Sequence, residues 1–160
     1  MRTLKPDIYN VGAIDWDRRV FDELIPVPDG TTYNSYLIKG SEKTALLDTV
    51  APEKVDELIS HLVKAGVDHI DYIVAHHAEQ DHSGAIPDLL LIYPQAKVVV
   101  NAKCKKTLQD LLHIEDSSFM VVEDGDTLSL GNKTLQFMDL PWVHWPETFG
   151  TYLQEDRIMF

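Results

Sequence analysis

Four side chains that can bind a metal ion lie within the six residues 77–82: the imidazoles of His77 and His82 and the carboxylates of Glu79 and Asp81. They follow an apolar run, residues 70–75, that is typical of a β-strand. Ligands two residues apart in a loop after a strand can reach one metal, so we expect His77 and Glu79 to share one ion and Asp81 and His82 to face a second. A set that mixes carboxylates with imidazoles suits redox-active non-haem iron.

A second motif, residues 140–148, places His144 between two tryptophans and two prolines, late in an apolar run. Proline restricts the backbone, and indole rings cover a large apolar area. We therefore expect the imidazole of His144 to be held in place and shielded from water.

These two motifs, with residues 12–16 and 30–38, resemble the N-terminal domain of the flavodiiron proteins, and the resemblance extends over residues 8–160. Residues 77–82 are similar to the HxHxDH ligand loop of the metallo-β-lactamase superfamily, with Glu79 in place of the second histidine. By this resemblance, a glutamate in place of the second histidine indicates that the bound metal is iron.

The resemblance implies a ligand set. His77, Glu79 and His144 correspond to ligands of one iron, and Asp81 and His82 to ligands of the other. The family's bridging aspartate and last histidine would follow Phe160, as would the flavodoxin-like domain that carries FMN. We therefore expect residues 1–160 to be a single α/β domain, the N-terminal part only of a metallo-β-lactamase-like αββα sandwich.

The resemblance also implies a function. Flavodiiron proteins reduce O₂ to water or NO to N₂O at two iron ions, with electrons from FMN and ultimately from rubredoxin or a similar donor, and the full-length protein is expected to be a homo-oligomer. Two alternatives remain open: an O₂-binding diiron sensor module, and a zinc hydrolase of the metallo-β-lactamase superfamily. The sequence does not choose between O₂ and NO.

Three positions depart from the family pattern. Asp22 stands where many members have a histidine close to the diiron centre, and Glu147 begins a Glu-Thr-Phe stretch where Asp-Ser-Met is common. His76 replaces an expected asparagine, and we interpret it as a hydrogen-bonded neighbour of the ligands rather than a ligand. Asp48 lies where the superfamily often keeps an acid that supports the metal loop.

Composition excludes several classes of partner. The 26 acidic residues exceed the 14 lysines and arginines, and the net charge of −12 disfavours nucleic acid and anionic membranes. We find no apolar run of about 18 residues that could span a bilayer and no apolar segment after the basic N-terminus, so we expect a cytoplasmic protein. Cys104 is the only cysteine, so no internal disulfide can form.

Hydrophobic spacing predicts helices and strands in alternation, followed by a run of strands. The predicted helices are residues 52–65, 83–91 and 102–112. The predicted strands are residues 33–39, 44–49, 70–75, 97–100, 119–122, 127–130, 133–140, 148–153 and 157–160. This order indicates one half of an αββα sandwich and the start of the second. Because the rest of the sandwich would lie outside the chain, we expect exposed apolar surface that favours dimerisation or aggregation.

Overall fold

The computed structural model describes all of residues 1–160. In chain order the strands are β1 (Arg2–Lys5), β2 (Ile8–Asn10), β3 (Ala13–Asp15), β4 (Val20–Phe21), β5 (Ile25–Pro26), β6 (Thr31–Tyr33), β7 (Tyr36–Lys39), β8 (Thr44–Leu47), β9 (Tyr72–Val74), β10 (Lys97–Val100), β11 (Phe119–Val121), β12 (Thr127–Ser129), β13 (Thr134–Asp139), β14 (Phe149–Leu153) and β15 (Ile158–Met159). The helices are α1 (Val55–Lys64), α2 (Gln80–Ser83), α3 (Ile86–Ile92) and α4 (Ala102–Leu112), with 3₁₀ turns at Pro52–Lys54 and Asp116–Ser118.

Two sheets form the centre of the molecule. The larger sheet has seven strands in the order β1-β2-β7-β8-β9-β10-β11, and the smaller has four in the order β12-β13-β14-β15. Strands β8 to β11 are parallel, whereas β1, β2, β7 and β8 pair antiparallel, as do all strands of the smaller sheet. Two further sheets of two strands each, β3 with β6 and β4 with β5, lie outside both larger sheets.

The central strands of the larger sheet are buried on both faces, and their side chains alternate between two cores. In β9, Ile73 belongs to a core of 24 buried residues that includes Leu58, Leu89 and Leu108 from the helices. Its neighbour Val74 belongs to a second core of 13 buried residues that includes residues of the smaller sheet. The layers are therefore helices, larger sheet and smaller sheet.

Sequence and structure agree best where periodicity is strong. The bounds of β10 and α4 are those predicted, and the helix predicted over residues 52–65 is present as a 3₁₀ turn followed by α1. The single strand predicted over residues 33–39 was wrong. Tyr33 ends β6, which pairs with β3, while Tyr36 begins β7, which pairs with β2 and β8.

The second sheet is more complete than the sequence indicated, since four strands already cover the larger sheet. The outward face of the smaller sheet carries Met138, which is half-buried, and Met159, which is 43% exposed. The same face also carries the polar side chains of Thr134 and Gln136. Whether the chain aggregates or dimerises through it stays a prediction. None of the helices has both the length and the apolar character needed to cross a membrane.

Candidate metal centre

His77 and Glu79 reach the same point from the short segment between β9 and α2, which bends at residues 76 and 77. Ala78 between them is fully buried in the helix-side core, so the two polar side chains turn together to the other side. Glu79 is the residue before the first turn of α2 and keeps extended dihedral angles. Its Oε2 lies 3.2 Å from Nε2 of His77.

His144 arrives at this point from the turn between β13 and β14. Its Nε2 lies 2.9 Å from Oε2 of Glu79. One ligand atom from each of His77, Glu79 and His144 lies within 4.8 Å of the other two, a spacing that one metal ion can bridge. The structure thus brings together three of the five predicted ligands.

The prediction that two tryptophans shield His144 was wrong. The side chain of His144 is 64% exposed and Trp142 is 75% exposed. The cause is the turn itself, in which the amide of Trp142 donates to the carbonyl of Trp145 at 2.8 Å and directs Trp142 into solvent. Only Trp145 packs at the centre, with its ring 5.8 Å from that of His77.

Asp81 and His82 lie on α2 rather than in the irregular loop that the sequence indicated. The ring centroid of His82 is 4.2 Å from that of His77, and its Nε2 is 3.5 Å from Oδ2 of Asp81. They therefore adjoin the cluster of His77, Glu79 and His144, but do not share its ligand point. The other oxygen of Asp81, Oδ1, is buried and has no hydrogen-bond partner.

An unpartnered buried oxygen is costly, and a cation is one way to satisfy it. Oε2 of Glu79 does have partners, since it faces the Nε2 atoms of His77 and His144 at 3.2 and 2.9 Å, and a cation could lie among these three atoms. Carboxylate oxygens and imidazole nitrogens are common ligands of iron and zinc. The residues of this site therefore fit a bound metal ion.

The electrostatics of the metal-free site favour the neutral forms of His77, Glu79 and Asp81. Burial lowers the pKa of His77 to about 4. Burial also raises the pKa of Asp81, and burial together with the nearby carboxylates of Asp81 and Asp22 raises the pKa of Glu79. A bound cation would lower the pKa of the carboxylates, because it favours their ionised form. It would also keep the imidazole of His77 unprotonated.

Asp48 supports the cluster from the end of β8, as expected from its position. Its Oδ2 lies 2.9 Å from Nδ1 of His76 and 3.0 Å from Nδ1 of His82. Burial acts to raise its pKa, but His76 and His82 outweigh burial and hold the pKa of Asp48 below its usual range. His76 uses both ring nitrogens in hydrogen bonds, which confirms its interpretation as a neighbour of the ligands.

Glu147, one of the departures from the family pattern, is buried beside the metal loop. Its Oε1 accepts from the amide of Ala78 at 3.2 Å, between the two ligands, and its carbonyl accepts from the side chain of Asn101 at 2.8 Å. Asn101 also caps the start of α4, because its Oδ1 accepts from the amide of Cys104. Glu147 therefore ties the loop to a helix end.

Two cavities open beside the site. One, of about 440 Å³, has Glu79 and Asp81 in its wall together with Arg18, Asp22 and Trp145. Position 22 thus does lie beside the candidate ligands. The other, of about 290 Å³, is lined by four histidines, by apolar groups and by one aspartate and one threonine: Asp48, His76, His77, His82, Leu140, Val143, His144, Thr148, Phe149, Gly150 and Phe160.

Sequence reasoning missed Arg18 in the first cavity and Thr151, which hydrogen-bonds to His76. Neither belongs to a spaced motif, and each reaches the site only through the pairing of distant segments. An arginine two residues after Trp16 and a threonine within a strand have no local signature that marks them.

Comparison with known proteins identifies the family. Residues 31–160 match the family model described as ODP family beta lactamase. The chain belongs to this family. This match and the relatives described below confirm the metallo-β-lactamase-like α/β fold and the resemblance to flavodiiron proteins.

Several curated relatives are similar over almost the whole chain. The coenzyme F420H(2) oxidase of Methanothermobacter marburgensis is 37% identical over 99% of this chain and 40% of that protein. The rubredoxin-oxygen oxidoreductase of Megalodesulfovibrio gigas is 37% identical over 93% of this chain and 37% of that protein. The nitric oxide reductase of Moorella thermoacetica is 38% identical over 95% of this chain and 38% of that protein.

Solved structures agree. The flavodiiron protein from Giardia intestinalis superposes with a TM-score of 0.92 at 34% identity, covering 99% of this chain and 39% of that one. The rubredoxin oxygen:oxidoreductase from Desulfovibrio gigas gives a TM-score of 0.92 at 35% identity, covering 98% and 39%. The chain spans about 40% of the length of the relatives that it matches.

Proposed function

We propose that this chain is the iron-binding domain of an oxidoreductase that reduces O₂ to water, NO to N₂O, or both. The observation that carries the proposal is the convergence of His77, Glu79 and His144 on one point. It is supported by relatives named for the oxidation of coenzyme F420H(2), for rubredoxin-oxygen oxidoreduction and for nitric oxide reduction.

In this proposal His77, Glu79 and His144 hold one iron ion, and Asp81 and His82 contribute to a second. When bound, iron would supply one-electron redox chemistry, which these carboxylates and imidazoles do not offer by themselves. The choice of iron over zinc is supported by Glu79, because a carboxylate takes the place of an imidazole in the ligand loop.

The protein's own groups would position the ligands and control water. Oε2 of Glu79 lies between two imidazoles, and Trp145 packs against the edge of His77 and keeps water from that side. The exposed side of His144 leaves the site open to small molecules. Arg18 places a positive charge in the wall of the cavity that Glu79 and Asp81 also line.

We further propose that electrons come from FMN, held by a flavodoxin-like domain outside residues 1–160, and ultimately from rubredoxin or a similar donor. The word rubredoxin in the name of one curated relative and of one solved structure supports the donor. The proposal includes a homo-oligomeric full-length protein, in which the flavin of one subunit serves the metal centre of another.

A single-turnover experiment tests the function without the flavin. The chain is loaded with ferrous iron under anaerobic conditions, freed of excess reductant and mixed with NO, and N₂O is measured by gas chromatography. Two NO, two electrons and two protons give one N₂O and one water, so the expected yield approaches one N₂O for each pair of ferrous ions. Glu79→Ala should abolish the yield, whereas His113→Asn, at an exposed residue after α4, should leave it unchanged.

Three results would overturn the proposal. If NO and O₂ both bind and are released intact, the chain is a sensor module. If the chain retains zinc and hydrolyses a thioester, lactone or phosphodiester, it is a hydrolase. If the iron-loaded chain reduces neither gas, the function is not that of a reductase. A parallel measurement of O₂ uptake by the reduced chain distinguishes a preference for O₂ from inactivity.

A further inference from the structure

His76 occupies a buried position between the two sheets and touches both. It is only 7% exposed. Its Nδ1 lies 2.9 Å from Oδ2 of Asp48, which follows β8 in the larger sheet, and its Nε2 lies 2.8 Å from Oγ1 of Thr151 in β14 of the smaller sheet. Its carbonyl also accepts from the amide of Phe149 at 3.0 Å. The imidazole therefore links the metal loop to the strand that follows His144.

The carboxylate of Asp48 determines where the ring protons lie. An ionised carboxylate can only accept hydrogen bonds, so Nδ1 of His76 and Nδ1 of His82 must both donate to its Oδ2. The amide of His76 donates to the other oxygen, Oδ1, at 2.8 Å. Three donors thus hold the Asp48 carboxylate, and His76 supplies two of them.

The hydrogen bonds of Asp48 also determine which nitrogen of His82 can bind a metal. A neutral imidazole that donates through Nδ1 carries its lone pair on Nε2, which is the form that binds a metal. Because His76 and His82 share the same oxygen of Asp48, the position of that oxygen, and with it the orientation of His82, depends on His76. Nε2 of His76 accepts from the hydroxyl of Thr151, so its own lone pair is already used.

We propose that His76 is a positioning residue, which acts through Asp48 to orient His82 and to keep its proton on Nδ1 so that Nε2 is free to bind metal. This inference deepens the proposed function and rests on it for the identity of the metal. The hydrogen-bond network itself is a property of the metal-free chain and can be tested there.

Two substitutions separate the two contacts of His76. In His76→Asn, the amide nitrogen takes the place of Nδ1 and keeps the bond to Asp48 but loses Thr151. In His76→Gln, the amide takes the place of Nε2 and keeps Thr151 but loses Asp48. A residue that only fills space would give the two variants similar properties, because both replace the ring with an uncharged amide.

The first measurement is the imidazole N–H spectrum of the metal-free, ¹⁵N-labelled chain by NMR. We expect the Nδ1–H of His82 to be protected from exchange in the wild type and in His76→Asn, and to be lost in His76→Gln. The second is Co²⁺ affinity by chelator competition, with the visible absorption of Co²⁺ recording the ligand geometry. His76→Asn should stay within about threefold of wild type, whereas His76→Gln should bind roughly 10 to 100 times more weakly, as found when a support of a metal ligand is removed.

Equal spectra and equal Co²⁺ affinities for the two variants would overturn the inference. So would losses of Co²⁺ affinity that are proportional to each variant's loss of free energy of unfolding. If both variants fail to fold, Thr151→Val serves instead, since it removes the hydroxyl that holds the ring without changing side-chain size. Because this variant, like His76→Asn, keeps the bond of His76 to Asp48, the His82 signal should stay protected and Co²⁺ affinity should stay within about threefold of wild type. Loss of that signal would contradict the proposal. A wild type that shows the protected proton but binds no Co²⁺ would refute the metal site while supporting the network.

Discussion

Asp48→Asn tests whether the carboxylate at the end of β8 supports the candidate metal loop. The wild-type group accepts three hydrogen bonds, from the amide of His76, from Nδ1 of His76 and from Nδ1 of His82, at 2.8, 2.9 and 3.0 Å. Asparagine keeps one acceptor for the amide, but it places an NH₂ group where two imidazole donors converge. Two hydrogen bonds to a charged group are therefore lost.

Hydrogen bonds to charged groups contribute about 1.5–3 kcal/mol each, which gives a loss of about 3–6 kcal/mol. Part of this is recovered, because an imidazole can move its proton to the other nitrogen. We expect the free energy of unfolding to fall by about 3–5 kcal/mol, in line with the breaking of other buried charged pairs. For a chain of this size, the melting temperature should fall by roughly 6–20 °C.

The assay is urea unfolding of the metal-free chain in the presence of a chelator, followed by circular dichroism. Asp110→Asn is the matched control, because Asp110 is exposed on α4, and its effect should stay within about 0.5 kcal/mol. A loss below about 1 kcal/mol for Asp48→Asn would refute the reasoning, since the buried carboxylate would then not be the acceptor for both histidines.

Three further predictions concern His144, Tyr33 and Cys104. His144→Ala should empty the site of His77 and Glu79 at a metal concentration that still fills the other site, and equal metal content by mass spectrometry would contradict the assignment. The hydroxyl of Tyr33 donates to Oδ2 of Asp15 at 2.9 Å, and burial together with that carboxylate raises the pKa of Tyr33 from 10.0 to about 12. A pKa raised in the folded state means stability that is present below pH 10 and lost as the pH rises towards 12, so Tyr33→Phe should unfold with a shallower pH dependence in that window; identical alkaline unfolding curves would disprove this. Cys104 is fully buried and burial raises the pKa of its thiol, so a thiol reagent should react only at the rate of unfolding, and rapid reaction in native buffer would show that the helix opens locally.

Much of the candidate site could be predicted because its ligands are close in sequence. His77 and Glu79 are two residues apart in the short segment after a strand, so their side chains can reach one point. His82 is brought near them by α2. Their shared position thus follows from local geometry, without knowledge of the rest of the fold.

The surroundings of His144 could not be predicted in the same way. Its approach to Glu79 depends on the hairpin of β13 and β14, and its exposure depends on a turn that directs Trp142 outward. A sequence shows which residues flank an imidazole, but not the side to which each points. Contacts such as that of Thr151 with His76 join residues 75 positions apart and have no local pattern.

In the fold, too, local elements could be predicted, whereas elements that depend on distant partners could not. The bounds of β10 and α4 were predicted to the residue, since each has a strong period and α4 begins at a capping asparagine. The strands β1 to β5 were missed because they are only two to four residues long and show little alternation. Their positions depend on pairing with partners distant in sequence.

The most direct test of the central claim is to purify the chain without oxygen and to count its metals by mass spectrometry. The proposed ligands predict about two iron ions per chain with little zinc, and a lower iron content in Glu79→Ala and His144→Ala. Zinc in place of iron, or a chain that retains almost no metal, would contradict the account.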